Sequence, residues 1–182
     1  KQVFIDSKNR VIICTENGIN LYNKKEKKFK RILYDKNSNI LTSQNIVGIQ
    51  QDSRGVYWIA TDNGLNSYDM GTGKVDKYLA DGSYNSISDN CINSIFLDDE
   101  DVLWISTRYG GLNKFNIKTG KIDFFKHDES NNNSIPSNYV NCVMKDNSGR
   151  LWVGTNGGLS LFDDVTDTFK TYKNKIYVTE IK

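Results

Sequence analysis

One register runs through this 182-residue chain four times. Asp6, Asp52, Asp98 and Asp146 are separated by 46, 46 and 48 residues, and six positions after each stand Ile12, Trp58, Trp104 and Trp152. Three residues further come Thr15, Thr61, Thr107 and Thr155, then a glycine with an aliphatic neighbour: Gly18-Ile19, Gly64-Leu65, Gly111-Leu112 and Gly158-Leu159. An aromatic follows at Tyr22, Tyr68, Phe115 and Phe162, and two later columns, Phe29, Val75, Ile122, Phe169 and Ile32, Tyr78, Phe125, Tyr172, keep the same register. A chain that returns to the same residue types at this interval repeats one supersecondary unit and buries its apolar faces by stacking neighbours.

Each unit reads as four short strands, in the third case 92–98, 102–107, 111–116 and 121–125, with no sustained helical period anywhere. The first turn carries Asp-Ser-Arg-Gly at 52–55 and Asp-Asn-Ser-Gly at 146–149, where Asp caps its own backbone and Gly supplies positive φ. The third turn carries Thr-Gly-Lys at 72–74 and 119–121. Apolar residues stand on neighbouring positions at 92–97 and 151–153, as expected when both sheet faces are covered. The expected fold is therefore all-β: four tandem four-stranded antiparallel blades of a β-propeller, at about 1–34, 45–79, 91–126 and 139–173 of one segment spanning 1–182. Trp58, Trp104 and Trp152 are inter-blade packing residues, and Gly64, Gly111 and Gly158 mark the second turns. The Thr column reads as structural.

Composition narrows the function. Lys and Arg number 24 against 22 Asp and Glu, interleaved, so the net charge of +2 argues against nucleic acid as a partner. The lysines at 24, 25, 27 and 28 read as a solvated hairpin turn. No apolar run approaches the roughly 18 to 20 residues of a membrane span, so membrane association is expected only through a longer parent chain. Cys14, Cys91 and Cys142 form neither a zinc pattern nor a disulfide framework. His127 has no recurring partner for a Ser-His-Asp or metal site, the acidic run 98–101 lacks the alternating spacing of a calcium loop, and Gly-Thr-Gly-Lys at 71–74 is a turn that recurs at 118–121. No metal and no cofactor is expected.

The stretch from Asn138-Tyr139-Val140 through Asp146-Asn147-Ser148-Gly149-Arg150-Leu151-Trp152-Val153-Gly154-Thr155-Asn156-Gly157-Gly158-Leu159 resembles the two-component regulator propeller repeat. Units two and three keep the pattern at 52–65 and 98–112, whereas unit one departs from it with Ile12 for Trp and Asn9 for the turn Gly. The resemblance implies an extracytoplasmic sensor region of a bacterial histidine kinase, hybrid two-component system or diguanylate cyclase, on the periplasmic or extracellular side of the membrane. Many such regions respond to carbohydrates. A non-catalytic role in sensing or transmission is implied. Two readings from other classes stay open: a protein-interaction scaffold, and a propeller lyase, for which one His and five Glu are few.

In such a ring the linkers 33–45, 79–91 and 126–139 and the second turns emerge on one face, rich in Asn, Asp, Ser and Tyr. Unit three alone has an extra residue there, Thr107-Arg108-Tyr109-Gly110-Gly111 against Thr61-Asp62-Asn63-Gly64. Arg108 and Tyr109, flanked by Asn63 and Asn156, are accordingly the candidate ligand contacts, with an oligosaccharide as the candidate small ligand. Related rings have seven or eight blades, so four blades are expected to belong to a larger ring and to self-associate through open edges; a closed four-blade ring is the other solution. The alternating residues 176–181 fall out of register as an extra strand or the start of a further unit.

Overall fold

The computed structural model describes residues 2–34, 39–98 and 101–172; the segment 174–182, Asp99 and Glu100 lie outside the described residues. The strands fall into two units, 1–79 and 80–182.

In the first unit, blade 1 comprises β1 (Val3–Ile5), β2 (Val11–Thr15), β3 (Gly18–Asn23) and β4 (Lys28–Ile32). Blade 2 comprises β5 (Ile46–Gln51), β6 (Tyr57–Thr61), β7 (Gly64–Tyr68) and β8 (Val75–Tyr78). Each is an antiparallel meander paired in chain order. The face of blade 1 bearing Ile12, Cys14 and Ile19 packs with Ile46, Tyr57 and Ile59 of blade 2 around the inserted linker residue Leu41. Burial pushes the Cys14 thiol up to about 11, which leaves it an inert packing group.

In the second unit, blade 3 comprises β9 (Ile92–Leu97), β10 (Val102–Thr107), β11 (Leu112–Asn116) and β12 (Lys121–Phe125), and blade 4 comprises β13 (Val140–Lys145), β14 (Leu151–Thr155), β15 (Gly158–Asp163) and β16 (Thr168–Tyr172). Trp104 of blade 3 meets Phe162 of blade 4 edge-on, with ring centroids 5.1 Å apart, and Phe125 meets Phe162 and Phe169 at 5.5 and 5.2 Å. This aromatic cluster, with Val102, Val140 and Val153, is the unit's core, and Trp104 packs within it between the two blades.

The Asp and Trp columns turn out to be one device. In blade 2, Asp52 Oδ1 accepts the amides of Arg54 and Val56 at 3.0 Å, while Oδ2 accepts the Trp58 indole N–H at 3.1 Å. The same carboxylate-to-indole bond joins Asp98 to Trp104 and Asp146 to Trp152. The first hairpin is thereby tied to the strand that carries the packing residue. Gly55 (φ +86°) and Gly149 (φ +78°) take the left-handed position, and Asn9 (φ +59°) keeps that conformation where the glycine is absent.

Blade 1 has no tryptophan, and its neighbour supplies the missing donor. The buried Tyr57 hydroxyl donates to Asp6 Oδ2 at 2.7 Å, Arg10 Nε donates to the same oxygen at 2.6 Å, and Arg10 Nη2 donates to the Tyr57 oxygen at 2.6 Å. Burial and the neighbouring carboxylate push the Tyr57 hydroxyl up to about 12, so it stays protonated as a donor.

Burial alone would raise the Asp6 carboxyl, but the Tyr57 hydroxyl and the Arg10 and Lys8 donors outweigh it and hold it below the ordinary value of 3.8. Asp146 is held low as well, chiefly by the Trp152 indole. Carboxyls depressed by folding stabilise the fold above their unfolded pKa, and that contribution is lost as pH falls through the folded value. The urea midpoint is accordingly expected to fall steadily as the pH is lowered from about 5. Asp6→Asn should be less stable at neutral pH and show a shallower acid slope; an unchanged slope would remove Asp6 from this account.

Candidate functional site

The second turns are fixed by the Thr column. Thr15, Thr61, Thr107 and Thr155 each donate Oγ1–H to the carbonyl of Gly18, Gly64, Gly111 and Gly158, at 2.7 to 3.1 Å. Each hydroxyl also accepts one turn amide, from Asn17, Asn63, Gly110 and Gly157. One hydroxyl thus satisfies a donor and an acceptor at a sharp reversal, which an aliphatic residue at this position leaves unpaired.

A second lock joins each turn to the strand that opens its blade. The residue after the threonine donates its amide to a linker carbonyl: Asp62 to Asn45, Arg108 to Cys91 and Asn156 to Tyr139. Beside this contact the first strand of blades 2, 3 and 4 carries a register shift, at Ile46/Gly48, opposite Ser106/Thr107 and at Val140/Cys142. A bulge at one end of a strand re-aims side chains, and such bulges concentrate next to binding sites.

The extra residue of blade 3 is held from three sides. Arg108 N–H donates to Cys91 at 2.9 Å, Tyr109 N–H donates to the Asp89 carboxylate at 2.8 Å, and Gly110 N–H donates to Thr107 Oγ1 at 3.1 Å. Gly110 lies against the linker so tightly that a Cβ there would stand 2.5 Å from Ser88 Oγ. With its backbone fixed, the turn directs its side chains outward: Tyr109 is 68% exposed, and the Arg108 guanidinium stands over the Tyr139 ring at 5.9 Å from the centroid.

Asn156 belongs to the same cluster. Its amide is bonded to Tyr139, and its side-chain oxygen accepts from Asn141 Nδ2 at 3.0 Å. Arg108 and Asn156 thus both contact Tyr139 in the second unit, while Tyr109 is tied to Asp89. Asn63 lies in the first unit, where its amide is bonded to Thr61 and its side chain reaches the Thr42 carbonyl at 3.5 Å. Tyr139 and Asn141 were not anticipated from the sequence, although both lie in the 138–159 stretch that carries the repeat pattern most closely.

The linkers are less uniformly exposed than a ligand face requires. Leu41, Ile87 and Ile135 are driven into the core, and the buried side chains of Asn66 and Asn113 brace them by accepting the Thr42 and Ser88 amides at 3.0 and 2.8 Å. Two residues after the glycine column, Asn20, Asn66 and Asn113 form a further recurrent column, replaced by Ser160 in blade 4. His127 is likewise engaged, its Nδ1 donating to the Ile135 carbonyl at 2.8 Å.

A cleft of about 340 Å³ lies between the hairpins of blades 3 and 4, lined among others by Asp98, Trp104, Lys114, Lys145 and Arg150. Its cations are already partnered, Lys114 by Asp167, Lys145 by Asp98 and Arg150 by Asp146, so it offers little to an anion. Among the described residues no three His, Cys, Asp or Glu converge as metal ligands.

Four-stranded meanders that recur in register and pack through an aromatic column define β-propeller blades. More specifically, the family model of the two component regulator propeller matches residues 40–63, 86–109 and 134–157. Similar solved structures include two extracellular domains from B. thetaiotaomicron. One, described as from a hybrid two component system, is 26% identical with a TM-score of 0.75, over 93% of this chain and 23% of that one. The other, described as from a one component system, is 25% identical with a TM-score of 0.74, over 94% and 24%. The chain thus spans about a quarter of either domain. A gluconolactonase from Xanthomonas campestris, 12% identical with a TM-score of 0.63 over 96% and 62%, shares the fold alone. No curated protein matches the chain.

Proposed function

We propose that this chain is a non-catalytic sensor segment on the extracytoplasmic side of a two-component-type bacterial receptor, with the Arg108–Tyr109 turn as its ligand contact. The likeness to extracellular receptor domains supports the sensing role and the location. The observation that carries the site is the braced turn, which holds an exposed tyrosine and a guanidinium beside Tyr139 and the bonded pair Asn141 and Asn156.

These groups suit an oligosaccharide. Aromatic faces cover the apolar C–H faces of a sugar ring, paired amides exchange hydrogen bonds with hydroxyls, and a guanidinium holds a carboxylate or vicinal oxygens through two donors. Arginine is effectively always protonated and amides do not titrate, so the cluster is equipped to bind rather than to transfer protons. Rigid support from Thr107, Asp89 and Cys91 limits the ordering that a ligand must impose.

Thermal-shift screening of neutral and uronate-containing oligosaccharides, followed by calorimetry of any hit, tests this reading. The double variant Arg108→Ala, Tyr109→Ala should lose at least about tenfold in affinity, roughly 1.4 kcal/mol, with its melting temperature unchanged. A hit bound equally by the folded double variant would overturn the site. Capture of a protein partner through this turn, with no glycan hit, would favour the interaction scaffold instead.

A further inference from the structure

The residue after the column threonine is Glu16, Asp62, Arg108 or Asn156, so an acid or an amide in three blades gives way to a cation in blade 3. Its backbone duty does not change: in blades 2, 3 and 4 the amide is bonded to a linker carbonyl. Its side chain does. Asp62 and Asn156 each turn an oxygen to a neighbouring asparagine, accepting from Asn45 Nδ2 at 2.8 Å and from Asn141 Nδ2 at 3.0 Å. A guanidinium has only donors and cannot take that role. Arg108 also differs from the other arginines. Arg10, Arg54 and Arg150 each hold the turn aspartate of their own blade, Asp6, Asp52 and Asp146, at 2.6 to 2.7 Å, and Arg31 lies over the Tyr34 ring at 3.8 Å. Among the described residues Arg108 has no carboxylate within 4.0 Å. The phenols of Tyr139 and Tyr109 act on it instead and hold its pKa above the ordinary value.

The insertion that carries this cation is matched by a second change in the linker. In blades 2 and 4 the hydroxyls of Ser43 and Ser137 accept the amide two residues on, from Asn45 and Tyr139. Blade 3 has Asp89 at that position, and its Oδ1 accepts from Cys91 in the same way, at 3.1 Å. The amides of Asn63, Gly110 and Gly157 all go to the column threonine, so the amide that the insertion adds is that of Tyr109. It is taken by Asp89 Oδ2 at 2.8 Å. A carboxylate thus stands in place of a hydroxyl where one extra amide must be held, and both its oxygens are committed to backbone. The turn is a built feature of blade 3, and the Arg108 charge is left for something outside it.

We infer that the ligand of this turn is an acidic oligosaccharide, whose ring-borne carboxylate or sulfate pairs with Arg108. The inference rests on the turn being the ligand contact and names the class of sugar it selects. Neutral hydroxyls are met as well by the amides and carboxylates of the sibling turns, whereas the guanidinium fork fits two oxygens of one anion. Charge-assisted bonds of this kind are roughly twice as strong as neutral ones, and a guanidinium, weakly hydrated, loses little on leaving water.

Two matched pairs of probes test it by calorimetry and ¹⁵N amide mapping of the 182-residue chain: oligogalacturonate with its carboxyl-reduced form, and carrageenan oligosaccharides with their desulfated form. At least one acidic probe should shift the amides of Arg108, Tyr109 and Tyr139 and bind at least about tenfold more tightly than its neutral counterpart. The two pairs show which oxyanion is read. Added salt should weaken the acidic binding. Arg108→Gln should abolish the difference between acidic and neutral forms, and Arg108→Lys, which keeps the charge without the fork, should retain only part of it. A neutral form that shifts these amides and binds as tightly as its acidic partner overturns the inference and leaves the turn as a ligand contact. Acidic binding that Arg108→Gln leaves unchanged overturns it as well. A turn whose amides stay silent toward all four probes overturns the inference together with the reading on which it rests.

Discussion

Replacing Trp104 by alanine is expected to destabilise the second unit by about 3 to 5 kcal/mol. The indole is 3% exposed, packs edge-on against Phe162 and is stacked with Phe125 at 6.3 Å. Its removal opens a void in an aromatic cluster too rigid to collapse into it. The Asp98 carboxylate also loses its indole donor. Trp152, with the same hydrogen bond but only partly buried, provides the comparison, and Trp152→Ala should cost less than half as much. Urea unfolding monitored by circular dichroism measures both; a loss below about 1 kcal/mol at Trp104 would show that the column does not pack between blades.

Gly111→Ala should be nearly as damaging, at about 3 to 4 kcal/mol. At φ +83° the backbone is left-handed, and an added Cβ would fall against the carbonyl oxygen of Phe125, inside van der Waals contact. That oxygen belongs to β12, so relief requires the strand itself to shift. Gly120 has a similar φ of +75° with open space around it, and Gly120→Ala should cost only about 1 kcal/mol. Equal losses at the two positions would mean that the close approach contributes nothing beyond backbone strain.

Much of this was legible before any coordinates. The Asp and Gly columns announce turns because each residue type does there what few others do, a short carboxylate capping its own hairpin and a glycine accepting positive φ, whereas the Thr column reads only as structural until its hydroxyls are seen to bridge two backbone groups. The boundaries follow closely, with β9 ending at Leu97 rather than Asp98 and β11 beginning at Leu112 rather than Gly111, where the cap and the left-handed turn interrupt the pairing. What the pattern hides is which columns touch. Asp52 and Trp58 both recur, yet a spacing of six does not reveal that one carboxylate serves hairpin and indole at once.

The substitution at Ile12 hides more, because the compensating hydroxyl comes from Tyr57, which is 51 residues from its acceptor Asp6. At the candidate site, the length anomaly identified Arg108 and Tyr109. Tyr139 and Asn141 entered only when the bulge of β13 brought the start of blade 4 beside the turn of blade 3. Asn113 was hidden for a different reason: a buried amide bracing a linker is indistinguishable, as a letter, from the exposed asparagines that fill the loops.

The most direct test of the sensing role is to map a bound ligand by amide chemical shifts in the ¹⁵N-labelled chain. With an oligosaccharide that shifts the melting temperature, the perturbed amides should be those of Arg108, Tyr109, Gly110, Tyr139, Asn141 and Asn156, while the hairpins at 52–56 and 146–150 remain unmoved. Perturbation confined to those hairpins, with the Arg108 turn silent, would contradict the account.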